Sequence, residues 1–202
     1  GTILVEKDSP GLTVHKIKHK MGVRGASENE LFFDNVRVPV ENVVTLGSAD
    51  SSKGFVKTLN VYNATRVGMG VMALGVAEGA FELAREYMTV RKQFGQRLAD
   101  MQGLRWMMAD MWVEIEAARG LCYRALAEVD AGRADACLSS VAKVYATEMA
   151  QRVVLNCQQM FGGYGYLRDY PIERFWRDLR VHRILEGTNE VMKMIVGRDL
   201  LK

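Results

Sequence analysis

The chain has 202 residues, 49% of them hydrophobic, which is enough for one main domain with a buried core. Its 27 basic residues nearly balance its 24 acidic residues, and a net charge of +3 argues against a nucleic-acid-binding surface. The cysteines, Cys122, Cys137 and Cys157, have no metal-ligand spacing and are odd in number, which argues against a disulfide framework. We expect them to be buried or neutral small residues in a reducing compartment.

The first 46 residues predict a remnant of a β domain. Two strand-like runs, TILVE and ELFFDNVRVP, alternate with turns that contain Pro and Gly. The chain begins with GTILVEKD, a strand-like run without an initiator Met. We therefore expect it to enter in the middle of a larger protein.

From about residue 51 onward the pattern becomes helical. We place helices at about 52–89, 99–130, 134–161, 171–179 and 188–200. Long helices joined by short loops predict an antiparallel bundle over 47–202, so the expected fold is mainly α, preceded by the β segment 1–46. The longest weakly polar run, from Val67 to Ala77, is too short to cross a bilayer, so no membrane span is predicted.

The second long helix has the clearest amphipathic pattern. Apolar residues recur every three or four positions from Met101 to Val129, which predicts one buried stripe. Its methionines allow a binding surface as well as a core, and core filling is the commoner use.

One residue interrupts the apolar stripe of the first helix. Arg66 lies in register with the residues predicted to be buried there: Phe55, Leu59, Tyr62, Met69 and Ala73. A guanidinium on an apolar face needs either an acidic neighbour or an anionic ligand, and the local sequence allows both.

Glu186 follows the apolar pair Ile184-Leu185 and precedes a Gly-Thr-Asn turn. A carboxylate beside apolar side chains is costly to keep charged, which favours a role as a base. The alternative is an ordinary acidic residue before a helix that is capped by Thr188 or Asn189.

Five stretches carry a resemblance to a known family. They are KMGVRGASENELFFDNVRVP (20–39), LNVYNATRVG (59–68), VRKQFGQRLADMQ (90–102), QQMFGGYGYLRDYPIERFWRD (158–178) and RILEGTNEVMKMI (183–195). With these stretches in this order and at these separations, the chain closely resembles the C-terminal part of the acyl-CoA dehydrogenase family. The sequence near its C-terminus is most similar to short- or branched-chain members. The resemblance covers essentially the whole chain.

The resemblance implies an FAD-dependent enzyme that oxidises an acyl-CoA thioester to its trans-2-enoyl-CoA. Glu186 matches the family's catalytic base, which removes the α-proton while the β-hydride passes to flavin N5. Some members place the base on the first long helix, just before the arginine matched by Arg66. Thr65 stands at that position here and cannot act as the base, so Glu186 is the one candidate for the catalytic base.

The resemblance also implies binding residues. Those matched to contacts with the FAD of a neighbouring subunit are Arg91, Phe94, Gln102, Gln159 and Gly163. Thr188 and Glu190 match contacts with the FAD of their own subunit. Asn63 and Arg66 match the region that meets CoA, and the glycine after the base, Gly187, would leave room for the thioester carbonyl.

The implied partners are an acyl-CoA substrate, an electron-transferring flavoprotein as acceptor, and further copies of the chain in a dimer of dimers. The implied location is the cytoplasm of a bacterium or, in a eukaryote, the mitochondrial matrix. Family members also carry an N-terminal helical domain and the first part of the β domain. None of that is in this sequence, so we expect these 202 residues alone to be inactive.

Two alternatives remain. An acyl-CoA oxidase, in which reduced flavin reacts with O₂, has the same sequence features. A non-catalytic assembly subunit is the other, and the presence of Glu186 argues against it, because such a subunit needs no base.

Overall fold

The computed structural model describes residues 2–45 and 51–202, with side chains described for 2–44 and 61–202. The chain divides into two compact units, Gly1–Val61 and Tyr62–Lys202. The domain boundary predicted between residues 46 and 47 lies among the residues that are not described, and it stays a prediction.

The first unit contains two antiparallel strand pairs. Its strands are β1 Thr2–Ile3, β2 Leu12–Lys16, β3 Asn29–Phe33 and β4 Val43–Thr45, with β1 beside β4 and β2 beside β3. The predicted strand in ELFFDNVRVP is only partly confirmed: β3 ends at Phe33, and Asn35 has a left-handed φ of 49°. β2 was missed, because all its side chains except Leu12 are exposed and form no buried stripe.

Five α-helices and one small hairpin form most of the remaining described chain. The helices are α1 Ser51–Val90, α2 Gln102–Asp130, α3 Ala136–Met160, α4 Ile172–Leu179 and α5 Asn189–Leu200. The hairpin pairs β5 Lys92–Gln93 with β6 Gln96–Arg97. The prediction of a mainly α fold with short strands before it is confirmed. α2 begins three residues later than predicted, because Leu98–Asp100 forms a separate 3-10 turn.

The core of the second unit lies between α1, α2 and α3. The predicted stripe on α2 is confirmed, since its buried residues are Met111, Ile115, Ala118, Cys122 and Ala125. Cys157 on α3 is also buried, and burial raises the pKa of its thiol to about 12. Because Met111 is among the buried residues of α2, this methionine fills the core, as the periodicity indicated.

The predicted stripe on α1 is confirmed only from its middle onward. Met69 and Ala73 are buried and Arg66 is 8% exposed, whereas Tyr62 is exposed. Among the described side chains of α1, Val67 is the first that belongs to a packed apolar cluster, and Tyr62 lies N-terminal to it. The predicted burial of Phe55 and Leu59 falls outside the described side chains.

The apolar stretch of α1 is longer than the run singled out in the sequence. By length and composition alone, residues 61–90 are apolar enough to cross a membrane, but half of the most apolar window is buried inside the protein. Packing against neighbouring helices accounts for this composition, because a helix that is apolar on most of its surface is typical of a buried core helix.

Candidate active site

Glu186 lies in a left-handed turn directly before α5. Its φ is 55°, and Gly187 follows with a φ of 93°. Left-handed backbone is unfavourable for a residue with a side chain, so surrounding contacts must hold Glu186 in this conformation. Thr188 then caps α5 by accepting a 3.3 Å hydrogen bond from the N–H of Val191. The predicted helix cap is therefore present, and Thr188 supplies it.

The carboxylate of Glu186 points to α1. The hydroxyl of Thr65 lies 2.9 Å from Oε2 of Glu186 and can donate a hydrogen bond to it. The same hydroxyl lies 3.0 Å from the carbonyl oxygen of Tyr62, and its single hydrogen serves one acceptor at a time. The sequence neighbours Ile184 and Leu185 are exposed, so they do not enclose the carboxylate within this chain.

Arg66 and Asn63 form a buried pair one turn apart on α1. Nη1 of Arg66 donates a 2.9 Å hydrogen bond to Oδ1 of Asn63. Burial lowers the pKa of Arg66, and the negative charge of Glu186 opposes that effect. Nε of Arg66 is buried and has no hydrogen-bond partner among the described residues. The site thus contains the acidic neighbour expected from the sequence and also a donor that is free for an anionic ligand.

The backbone conformation at Gly187 favours a glycine. A Cβ atom at this position would lie 2.6 Å from Cε of Met192, and the positive φ already disfavours any side chain. Its carbonyl oxygen accepts a 2.8 Å hydrogen bond from Nζ of Lys143 on α3. The positive φ of Gly187 therefore accounts for this glycine independently of a substrate.

Four of the predicted FAD-contacting residues line one open cleft of about 630 Å³. They are Arg91, Phe94, Gln159 and Gly163. Gln102 is not among the lining residues; it lies at the first position of α2, between two that are, Met101 and Leu104. Thr188 and Glu190 lie elsewhere, at the start of α5. The two predicted groups of cofactor contacts are thus on different parts of the surface.

The shape of the cleft follows from its turns and aromatic rings. Phe94 and Gly95 have φ values of 52° and 79°, which form the tight turn of the β5–β6 hairpin and leave the Phe94 side chain 93% exposed. The guanidinium of Arg91 lies 5.2 Å from the ring centre of Tyr164, a cation–π contact that orients it. Gly163 faces open space, because a Cβ there would meet no atom within 4 Å.

Glu190 occupies the first turn of α5. A hydrogen bond from a backbone N–H at the helix start holds the pKa of its carboxyl below the usual range. This interaction is what the start of a helix offers any carboxylate, so the helix itself accounts for Glu190.

The sequence reasoning missed four residues of these sites. Tyr87 stacks on Phe161 at 4.2 Å, and both line the cleft together with Tyr164. Lys143 contacts the turn that carries Glu186. The lysine had a detectable signal, since it falls in register with the buried residues Ala146 and Ala150 of α3, as Arg66 does on α1.

Comparison with known proteins gives concordant matches. Residues 52–201 match the family model for the acyl-CoA dehydrogenase C-terminal domain. The chain is 42% identical to the short-chain-specific acyl-CoA dehydrogenase of Clostridium acetobutylicum, over 98% of this chain and 52% of that protein. It is 41% identical to the cyclohexane-1-carbonyl-CoA dehydrogenase of Geobacter metallireducens, over 98% and 51% of the two chains.

A solved structure, butyryl-CoA dehydrogenase from Megasphaera elsdenii, matches with a TM-score of 0.92 and 40% identity. The match covers 99% of this chain and 51% of that one. The chain therefore spans about half the length of the curated relatives it matches.

Proposed function

The chain belongs to the acyl-CoA dehydrogenase family, and on that premise we propose that it is the C-terminal part of an enzyme that oxidises an acyl-CoA thioester to its trans-2-enoyl-CoA. In this proposal Glu186 removes the α-proton of the substrate. When bound, FAD supplies the acceptor for the β-hydride. The observation that carries the proposal is the placement of Glu186, whose half-buried side chain leaves a left-handed turn and hydrogen-bonds to Thr65 through its carboxylate.

The geometry around Glu186 suits proton abstraction. Thr65 binds one carboxylate oxygen, Oε2, while Oε1 has no hydrogen-bond partner among the described residues and is available for a proton. Gly187 has no side chain to obstruct a thioester approaching the backbone N–H of Glu186. That N–H is the donor we assign to the thioester carbonyl, where negative charge develops as the α-proton leaves.

We assign the pantetheine and phosphate parts of an acyl-CoA to the region of Asn63 and Arg66. The support is the unpartnered Nε of Arg66, a buried donor of a positively charged group. The Glu186 carboxylate is close enough to the Arg66 guanidinium for its negative charge to raise the pKa of Arg66. In this assignment Glu186 meets the reacting carbons of the substrate, and Asn63 and Arg66 meet its polar CoA portion.

The cleft beside the β5–β6 hairpin fits a dinucleotide. Arg91 is a charged donor suited to a pyrophosphate, and Phe94 exposes an aromatic ring beside it. Gly163 supports the same assignment: a Cβ there would meet no atom of the described residues within 4 Å, whereas the close approach of a ligand would favour a glycine. We assign this cleft to the FAD of a neighbouring subunit, and Thr188 and Glu190 to the FAD of their own subunit.

This division of contacts implies an oligomer, which we propose to be a dimer of dimers. We propose an electron-transferring flavoprotein as the acceptor, and the bacterial cytoplasm or mitochondrial matrix as the location. The oxidase alternative differs only in the acceptor, since O₂ would then reoxidise the flavin.

The test uses the complete protein that contains this chain, purified with FAD. Anaerobic addition of butyryl-CoA and of branched or cyclic acyl-CoAs should bleach the visible absorbance of the flavin. Reoxidation by an electron-transferring flavoprotein without peroxide supports the dehydrogenase, whereas rapid peroxide formation in air supports the oxidase. A protein that binds FAD but is bleached by no acyl-CoA would contradict both and favour the assembly subunit.

A further inference from the structure

Lys143 is a fully buried lysine in the middle of α3. Its Nζ donates hydrogen bonds to the carbonyl oxygen of Gly187 at 2.8 Å and to Oδ1 of Asn189 at 2.7 Å. Burial lowers the pKa of Lys143 to about 8, which shows that the site is costly for its charge. One acceptor, Gly187, lies in the turn that carries Glu186, and the other, Asn189, is the first residue of α5; they are 44 and 46 residues along the chain from Lys143.

A connected polar network surrounds the lysine. The buried amide of Asn189 donates to Oγ1 of Thr147 at 3.0 Å and to Oε1 of Glu148 at 2.8 Å. The Thr147 hydroxyl in turn donates to the carbonyl oxygen of Lys143 at 2.8 Å. Every polar atom of the Asn189 side chain therefore has a partner, and α3 holds the start of α5 through three of its own side chains.

The turn itself needs such support. Glu186 is a residue with a side chain in a left-handed conformation, which persists only where surrounding contacts determine it. The carbonyl oxygen that Lys143 binds belongs to the Gly187–Thr188 peptide, which lies between Glu186 and α5. Together with the bond to Asn189 at the start of α5, it anchors the C-terminal side of the turn to α3.

We propose that Lys143 is a positioning residue for the base: by binding Gly187 O and Asn189 Oδ1, it holds the turn so that the Glu186 carboxylate meets Thr65 and the substrate α-carbon. The inference rests on the proposed role of Glu186. Lys143 itself touches neither the proposed substrate nor the reacting atoms. Any effect of Lys143 on the reaction rate must therefore pass through Glu186. Such an effect disappears when the Glu186 carboxylate is removed, whereas damage to folding remains.

The test measures the anaerobic rate of substrate-driven flavin reduction in the complete FAD-containing protein. Lys143→Met keeps the length of the side chain and removes its donors. We expect the rate at saturating acyl-CoA to fall about 10- to 100-fold through misplacement of the base, with FAD content and acyl-CoA affinity little changed. The matched control is Lys193→Met, which removes an exposed lysine from α5 and should leave the rate unchanged.

A double variant separates positioning from general damage. In a Glu186→Gln background, Lys143→Met should change the residual rate less than about twofold, because the group it positions is gone. The same fold-loss in both backgrounds, or a wild-type rate for Lys143→Met, would overturn the inference. If Lys143→Met fails to retain FAD, Lys143→Gln, which keeps a shorter donor, is judged by the same criteria. A wild-type rate for Glu186→Gln alone would instead overturn the proposed function, and this inference with it.

Discussion

The hydroxyl of Thr65 on α1 donates a 2.9 Å hydrogen bond to Oε2 of Glu186, joining two positions 121 residues apart. In the sequence, Thr65 mattered only because it cannot itself serve as a base. The structure gives it a second role, since it binds the carboxylate of the residue that can. The alternative base position and the assigned base therefore lie side by side in one site.

Removing the Thr65 hydroxyl should slow proton abstraction. In the complete protein, Thr65→Val keeps the shape of the side chain but leaves Oε2 of Glu186 without this donor. Because the hydrogen bond orients the carboxylate and Thr65 is exposed, we expect poorer placement of the base to lower the flavin-reduction rate only about 2- to 10-fold. Thr65→Ser retains the hydroxyl and should stay close to wild type. Equal rates for the Val variant and wild type would show that the hydrogen bond has no role in the reaction.

Gly187→Ala should destabilise the protein and displace the turn. The new Cβ would lie 2.6 Å from Cε of Met192 at a φ of 93°, so we expect the free energy of unfolding to fall by more than about 1 kcal/mol. Thermal unfolding of the complete protein measures this change. Gly120→Ala is the matched control: it lies inside α2 with no atom within 4 Å of the added Cβ, and alanine favours a helix. If both variants unfolded at the same temperature, the backbone requirement for glycine at position 187 would be refuted.

Gly163→Val should weaken FAD retention without unfolding the helices. A Cβ atom here meets no atom of the described residues within 4 Å, so we expect the main effect where a cofactor approaches the cleft. Retained flavin per protein after gel filtration, with the helical circular dichroism as a check on folding, gives the answer. The control Gly75→Val places the same side chain on an exposed part of α1, outside the cleft. Full flavin retention by Gly163→Val would argue against the cofactor assignment of the cleft.

Stability should depend on pH through Lys143. Burial lowers its pKa from 10.5 to about 8, so between these values the unfolded state binds more protons than the folded state. The free energy of unfolding of wild type, relative to Lys143→Met, should therefore rise from pH 8 to pH 10.5, by at most about 1.4 kcal/mol per pH unit. Unfolding titrations of both proteins across this range test the sign, and the buried cysteines cancel in the difference. If the difference in the free energy of unfolding stayed constant or fell with pH, it would contradict a buried lysine with a lowered pKa.

The helices were largely predictable from the sequence, and the reasons are local. The stripe from Met101 to Val129 recurs at helical spacing, and it faces the core as expected. β2 was not predictable in the same way, because its side chains are mostly exposed and its pairing with β3 depends on residues 13 or more positions away. Tyr62 shows a related limit: periodicity places a residue on a face of a helix but does not show where the packed core begins.

The candidate site was predictable where short motifs carry it. Glu186, Arg91 and Gly163 were predicted from sequence motifs that resemble those of the family, and Arg91 and Gly163 line one cleft in the structure. Lys143 was missed because a single lysine inside a helix is usually solvent-exposed. Its contact with Gly187 spans 44 residues, and sequence spacing says nothing about such a contact. Testing each charged residue for register with a buried stripe, as was done for Arg66, would have identified it.

The most direct test of the central claim compares wild type with Glu186→Gln in the complete, FAD-containing protein, by anaerobic stopped-flow measurement of flavin reduction at saturating acyl-CoA. The substitution keeps the size of the side chain and removes its ability to accept the α-proton. We predict that acyl-CoA still binds while flavin reduction slows by at least about 10²- to 10⁴-fold, as expected for a lost general base. Flavin reduction at the wild-type rate in the Glu186→Gln protein would contradict the assignment of Glu186 as the base.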